Sequence, residues 1–105
     1  MDESWKTIGA LAARFDAYDR ERGVGREESA TLQILKIGEE FGEAAQAVIG
    51  AKGTNQRKGN SHTWGDVEAE VADVIVTAMV ALARMRPDAP AFFAEHLKEK
   101  SARFL

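Results

Sequence analysis

The chain has 105 residues, of which 45% are hydrophobic and 30% are charged, and its net charge is −3. This length predicts one domain, residues 1–105, with a core of moderate size. The negative charge argues against a general nucleic-acid binder, and the absence of cysteine excludes a disulfide framework, a thiolate zinc site and a cysteine nucleophile. The first residues lack the apolar run of a secretory signal, so we expect a cytoplasmic protein.

The composition favours an all-α fold, since the chain has only two prolines and long runs rich in Ala, Glu, Leu, Lys and Arg. The first helix is expected to begin at a cap formed by Asp2 or Ser4 and to end at 23–25, Gly-Val-Gly. Its inward positions recur at helical spacing. They are Trp5, Ile8, Leu11, Ala12, Phe15 and Tyr18.

A second helix is predicted from near Glu27 or Ser29 to about Ala51. Its inward arc is Ile34, Ile37, Phe41, Ala44, Ala45 and Val48. The opposite stripe is Lys36, Glu39, Glu40, Glu43 and Ala47. Gly38 and Gly42 each weaken a helix by roughly 1 kcal/mol relative to alanine. Their presence predicts the close approach of a neighbouring helix or a ligand.

Residues 52–64 lack periodicity and contain strong turn formers, which predicts one long loop. Loops of this length in compact domains are usually functional or disordered. Its polar donors suit phosphate groups, and Trp64 offers a stacking face, although a packing role at the start of a helix is the commoner one. Thr63 and Asp66 form a variant of the capping box at the start of the third helix.

The third helix is predicted from about Gly65 to Arg86, and its run 71–83 is apolar except for Asp73 and Thr77. This run is too short to span a membrane. A helix that is apolar on nearly every side must be buried on nearly every side, so we expect a second subunit to cover it. Asp88 is expected to cap a fourth helix. The inward-facing residues of this helix are expected to be Phe92, Phe93, Leu97 and Phe104.

Two pairs of acids stand three residues apart, Glu40 with Glu43 and Glu70 with Asp73. Residues at this spacing share one face of a helix. Four carboxylates placed in this way predict a divalent cation between them, and oxygen ligands suit magnesium or manganese. The competing interpretation is a solvated acidic face, with Asp73 paired to Arg84, Lys36 or Arg14.

The two acidic segments together resemble the MazG-like family of all-α nucleoside triphosphate pyrophosphohydrolases. The resemblance lies in the pattern Glu-Glu-x-x-Glu at 39–43, followed by Glu-x-x-Asp at 70–73. Their wider contexts are also similar, as is the intervening run 55–64 with its Asn-Gln-Arg-Lys-Gly and His-Thr-Trp segments. The similarity covers roughly residues 30–85.

The resemblance implies a four-helix bundle whose core is completed by dimerisation or tetramerisation. It implies cleavage of a nucleoside triphosphate to the monophosphate and pyrophosphate. It assigns the magnesium ligands Glu40, Glu43, Glu70 and Asp73, with Glu40 also counted as catalytic. Glu39 becomes a further catalytic acid, which binds a second metal or orients the attacking water. The candidate substrate contacts are Lys36, Lys52, Asn55, Arg57, Lys58 and Trp64.

Two non-catalytic alternatives stay open at this point. One is a helical interaction module that dimerises through the third helix, and the other is a regulator that binds nucleotide without hydrolysing it. A di-iron carboxylate bundle is excluded, since it needs a Glu-x-x-His pair on each of two helices. His62 and His96 instead follow Gly59 and Phe93 at that spacing.

Overall fold

The computed structural model describes residues 3–105, and this part of the chain is helical, which confirms the all-α prediction. Its four helices are α1 (Glu3–Glu21), α2 (Arg26–Lys52), α3 (Trp64–Met85) and α4 (Ala89–Ser101). Residues 3–105 contain no strand, and their one isolated β-bridge joins Asn55 to Gly59 inside the loop after α2.

The two ends of α1 differ in how well they were predicted. Ser4 does not cap this helix, because α1 already begins at Glu3 and Ser4 lies in its first turn. The other proposed cap, Asp2, lies outside the described residues. The predicted end is confirmed, since Gly23 has a φ of +77° and the backbone N–H of Val24 donates to the carbonyl of Asp19 at 2.9 Å. Glycine adopts this left-handed conformation without steric cost.

The predicted capping box at the start of α3 is confirmed. The backbone N–H of Asp66 donates to Thr63 Oγ1 at 3.1 Å, and the N–H of Thr63 donates to Asp66 Oδ2 at 2.9 Å. Asp88 does occupy the position before α4, but its side chain makes no capping bond. Its two carboxylate oxygens accept from Arg86 at 2.7 and 3.0 Å instead.

The described chain forms two compact units. One contains the residues up to Ala30 together with Met79–Leu105, and the other is Thr31–Ala78. The first unit buries Ile8, Ala12, Val80, Ala81 and Ala89. The second buries Ala44, Ala47 and Val67, together with Gln33. Both cores consist mostly of small residues, so large apolar side chains are left at the surface.

The inward face predicted for α4 is wrong. Its large apolar residues are all exposed: Phe92 38%, Phe93 42%, Leu97 54% and, just beyond the helix, Phe104 79%. The reason is that α4 buries only its first residue, Ala89, so its aromatic rings meet other groups at the surface of the unit. Phe93 lies 6.1 Å from Trp5 between ring centroids, and the guanidinium of Arg86 lies 3.9 Å above the ring of Phe92.

The first helix follows its predicted pattern in part. Ile8 and Ala12 are buried, and Trp5 and Leu11 are half-buried. The last turns were predicted less well, because Phe15 and Tyr18 are 39% and 50% exposed.

The inward arc predicted for α2 is confirmed at Ala44, which is buried, and in part at Ile37 and Val48, which are half-buried, but its other large residues are exposed. Ala47, predicted on the polar side, is fully buried, whereas Ile34 and Phe41 are 46% and 66% exposed. Alanine lets neighbouring backbones approach closely, and Gln33 on the same side donates from Nε2 to the carbonyl of Thr77 at 3.4 Å. The packed face of α2 is therefore set by small and polar residues rather than by the largest apolar ones.

The third helix is not buried on every side within this chain. Val71, Ile75 and Val76 are 48%, 55% and 42% exposed. None of the helices in residues 3–105 combines the length and apolar character needed to cross a membrane.

Candidate metal centre

Three glutamates from α2 and α3 come together in the unit Thr31–Ala78. Carboxylate oxygens of Glu40, Glu43 and Glu70 all lie within 4.8 Å of one another. Glu40 and Glu70 are half-buried, whereas Glu43 is exposed. Because Glu40 and Glu43 stand one turn apart on α2, both reach the glutamate of α3 from the same side. The predicted pairing of the two acidic segments is therefore present in three of its four residues.

Asp73, the fourth predicted acid, stands one turn after Glu70 but is not part of this group of three. Its charge nevertheless raises the pKa of both Glu40 and Glu70, so its carboxylate lies near them. The apolar run around Asp73 predicts that it is buried, and this prediction is wrong, because Asp73 is exposed. The apolar run lies on several sides of α3, and Asp73 occupies a solvent-facing position between them.

The alternative ion pairs for Asp73 are not seen among residues 3–105. Arg84 binds two aspartates of α1, and Lys36 lies 3.5 Å from Glu39. Arg14 is exposed, and no salt bridge joins it to an acid in the described chain. The carboxylate of Asp73 is therefore exposed to solvent while its charge acts on Glu40 and Glu70.

The environment of the cluster disfavours its charged form. Burial raises the pKa of Glu40 and of Glu70, and the adjacent charge of Glu43 adds to the rise at both. In addition, Glu70 Oε2 is buried and has no hydrogen-bond partner in the described part of the chain. Buried acceptors are almost always satisfied in folded proteins. A cation bound among these carboxylates would satisfy this oxygen and relieve the repulsion.

These raised pKa values predict how metal-free stability depends on pH. Above the unfolded glutamate pKa of about 4.3, folded Glu40 and Glu70 retain protons that the unfolded chain has lost. The free energy of unfolding they contribute should therefore fall as pH rises through their raised pKa values. Urea unfolding at a series of pH values should show wild type losing stability relative to Glu70→Gln. A difference between the two proteins that does not change with pH would contradict this.

The proposed catalytic and phosphate-contacting side chains at the start of the motif lie at the surface. The side chains of Lys36 and Glu39 are 54% and 63% exposed and form a pair at 3.5 Å. Exposed pairs of this kind contribute little to stability. Breaking this pair therefore costs little, so each of the two side chains can bind a ligand instead. The other basic candidates, Lys52, Arg57 and Lys58, are exposed as well.

Asn55 and Trp64 differ in how free they are to meet a ligand. Asn55 Oδ1 accepts hydrogen bonds from the backbone N–H groups of Arg57 at 3.0 Å and Lys58 at 2.9 Å, which is an Asx turn. Its carbonyl thus shapes the loop, and only its amide NH₂ is available to a ligand. Trp64 is the first residue of α3 and is 56% exposed.

The loop after α2 is anchored onto the last turns of that helix. Asn60 Nδ2 donates to the carbonyl of Ala51 at 3.1 Å. A Cβ at Gly53, whose φ is +69°, would lie 2.5 Å from Asn60 Oδ1, and a Cβ at Gly50 would collide with His62. The loop was expected to be functional or disordered. The structure shows it ordered and packed against the last turns of α2.

A cavity of about 190 Å³ lies between this loop and α2. It is lined by Gln46, Ile49, Gly50, Asn55, Lys58, Ser61 and His62. His62 lines this cavity, whereas none of the three clustered glutamates does. His62 lies against Gly50 because the loop packs on α2 at this glycine. Residue spacing does not reveal this contact.

The chain was compared with models of known protein families, with curated proteins and with solved structures, and none of them matches it.

Proposed function

We propose that this chain is a magnesium-dependent hydrolase that cleaves a standard or modified nucleoside triphosphate to the monophosphate and pyrophosphate. The observation that carries the proposal is the convergence of Glu40, Glu43 and Glu70 within 4.8 Å. Three carboxylates this close repel one another unless they are protonated or share a cation. The buried, unpartnered Oε2 of Glu70 supports the cation.

The donor set fits a hard divalent cation. It consists of carboxylate oxygens alone, with no histidine or cysteine among the three, and such sets suit magnesium or manganese. Glu40, Glu43 and Glu70 would hold the ion, with Asp73 adding a ligand or a compensating charge. When bound, magnesium would neutralise phosphate oxygens and so favour attack at phosphorus.

The remaining chemistry is assigned to side chains of this chain. Glu39 is exposed and only weakly paired, so its carboxylate is free to orient a water molecule and to accept its proton. Glu40 is next to it on α2, with a pKa that burial raises. The two adjacent acids thus differ in environment. The exposed Glu39 is suited to proton transfer, and the half-buried Glu40 is suited to metal binding.

The substrate would be bound by the polar groups around the cluster. Lys36, Lys52, Arg57 and Lys58 provide the positive charge for a phosphate tail. The amide of Asn55 would add a hydrogen-bond donor, and the exposed side chain of Trp64 would add a stacking surface. All of these residues except Asn55 are exposed, as contacts to a diffusible substrate require.

The proposed setting is a cytoplasmic homodimer or homotetramer with no nucleic-acid or membrane partner. It is supported by the exposed apolar residues of α3, Val71, Ile75 and Val76. Exposed apolar residues that lie together on one helix can mark protein contacts.

The test is pyrophosphate release by wild-type protein from a panel of standard and modified triphosphates, with magnesium and with a chelator. We expect turnover of at least one substrate that depends on magnesium. Thermal unfolding is measured in parallel, since a ligand that binds only the folded state raises its stability. A shift with nucleotide but no pyrophosphate would instead support a regulatory module. No shift with metal or nucleotide would support a helical interaction module.

A further inference from the structure

A cavity of about 270 Å³ lies within the first compact unit, where the last turns of α1 and α3 meet the first turn of α2. Its lining includes Asp16 and Arg20 of α1, Arg26, Ser29 and Ala30 of α2, and Arg84 of α3. We call it the arginine cavity, because three arginines and only one acid line it. None of its lining residues belongs to the acid cluster.

The spacing of the lining residues explains why they border one space. Asp16 and Arg20 stand four residues apart on α1, and Arg26 and Ser29 stand three apart on α2. Residues at these spacings share one face of a helix. The left-handed Gly23 ends α1 and turns the chain, so α2 begins close to the end of α1.

One charged side chain of the cavity is buried and fixed in place. Arg84 is only 6% exposed, and it donates to Asp16 at 2.7 Å and to Asp19 at 2.6 Å. The hydroxyl of the buried Ser29 donates to Asp19 at 2.8 Å. Asp16 stands one turn before Arg20, where it could pair with that arginine, but it accepts from Arg84 instead. The positive charge open to a ligand therefore comes from the other two arginines.

Arg20 and Arg26 line the cavity without an acid partner. Both are exposed, and no salt bridge joins either of them to an acid within residues 3–105. The exposed acids close to them in sequence, Glu21, Glu27 and Glu28, do not line the cavity. A single exposed arginine is usually only solvated, but here two unpaired guanidinium groups border the same concave space.

The chemistry of these two guanidinium groups selects a phosphate group. Arginine binds phosphate oxygens through paired N–H groups. A phosphate monoester carries about −1.5 to −2 charges at pH 7, which matches two arginines, whereas a carboxylate carries one charge. The cavity is slightly smaller than the roughly 300–1,000 Å³ of sites for drug-sized ligands, so the ligand is small. The positive end of α2, which begins at Arg26, adds to the attraction.

We propose that the arginine cavity binds a phosphate group, either as inorganic phosphate or as part of a small phosphomonoester. Arg20 and Arg26 bind the phosphate oxygens, and the buried Arg84 ties the last turns of α1 and α3 together and so maintains the shape of the cavity. The proposal does not rest on the hydrolase activity, because its residues lie outside the acid cluster and its test measures binding without metal.

Isothermal titration calorimetry of the metal-free protein tests the site, with a chelator present so that no cation carries phosphate to the acid cluster. The probes are inorganic phosphate, glycerol 3-phosphate and acetate at one fixed ionic strength. We expect saturable binding of the phosphate probes at one site per chain and no binding of acetate. Tighter binding of glycerol 3-phosphate would assign a phosphomonoester, and tighter binding of inorganic phosphate would assign the free ion. No saturable binding of either at millimolar concentration would overturn the proposal, as would equal binding of acetate.

Charge-removing variants test the roles of the two arginines. Arg20→Gln and Arg26→Gln should each weaken phosphate binding by about tenfold or more, because each removes a charged hydrogen-bond donor. Arg14→Gln is the matched control, since Arg14 is an exposed arginine of α1 that does not line the cavity, and it should leave the Kd unchanged. Equal weakening by all three variants would show a diffuse attraction to positive charge and refute the proposal.

Ala30→Leu tests the cavity separately from its charge. Ala30 is half-buried and lines the cavity, so leucine keeps every charge but occupies part of the space. We expect weaker phosphate binding by a protein that retains its helical circular dichroism. Unchanged binding by the folded variant would place the ligand outside the cavity and overturn the proposal.

Discussion

Replacing Glu43 with glutamine is expected to lower magnesium-dependent pyrophosphate release by about 1000-fold. Glu43 is the central acid of the cluster, since its charge raises the pKa of both Glu40 and Glu70. Glutamine keeps the size of the side chain but removes the charge that a cation needs. The measurement is kcat/KM in saturating magnesium, with a magnesium titration of the thermal midpoint to show that binding is lost together with turnover.

The matched control for this variant is Glu68→Gln. Glu68 is exposed on α3, two residues before Glu70, and it is not part of the group of three acids. It should retain wild-type turnover and the wild-type thermal shift with magnesium. If Glu43→Gln retained full activity in an enzyme that wild-type assays had shown to need magnesium, the metal would have to bind elsewhere.

Replacing Arg84 with methionine is expected to lower the free energy of unfolding by about 3 kcal/mol. The side chain of Arg84 is only 6% exposed; its Nε donates to Asp16 at 2.7 Å and its Nη2 to Asp19 at 2.6 Å. Ser29 Oγ donates to the same aspartate at 2.8 Å. Methionine fills the space, but it leaves two neighbouring carboxylates without their cation. Urea unfolding at one fixed protein concentration measures the change.

The pH dependence of this effect identifies its origin. Hydrogen bonding to Arg84 holds the pKa of Asp19 below its ordinary value, so this contribution is complete above the unfolded pKa and is lost as pH falls through the lowered one. The difference between wild type and Arg84→Met should therefore shrink in acid. Arg86→Met is the control, because the surface pair with Asp88 should contribute less than about 1 kcal/mol. Equal losses from both variants would contradict the assigned role of Arg84.

The order of the helices was predictable because it depends on local signals. The Gly-Val-Gly stop after α1 and the Thr63–Asp66 capping box involve residues within a few positions of one another. Their chemistry is the same in any tertiary context. Side-chain burial was less predictable, as Ile34, Phe41 and the aromatic residues of α4 show. Helical periodicity identifies an apolar face but does not say whether the same chain covers it.

The acid cluster was predictable as far as it depends on residue spacing within each helix. Spacing placed Glu40 beside Glu43 and Glu70 beside Asp73, and the two pairs together predicted a shared cation, which the resemblance also implied. The structure supplied what spacing cannot, namely the exposure of Asp73, the buried oxygen of Glu70 and the nearby position of His62. These features depend on how two helices and a loop pack, so no local pattern encodes them.

By itself, then, the sequence determined four helices, the end of α1, the capping box of α3 and a charge pattern, because propensities and hydrogen bonds between near neighbours decide these. Only the tertiary structure decided which faces of the helices are covered. It buried Ala47 in place of Phe41, and it left Gly38 and Gly42 open within residues 3–105. It also brought three carboxylates of two helices within 4.8 Å. Packing depends on the fit of side chains distant in sequence, and that fit is a property of the folded chain.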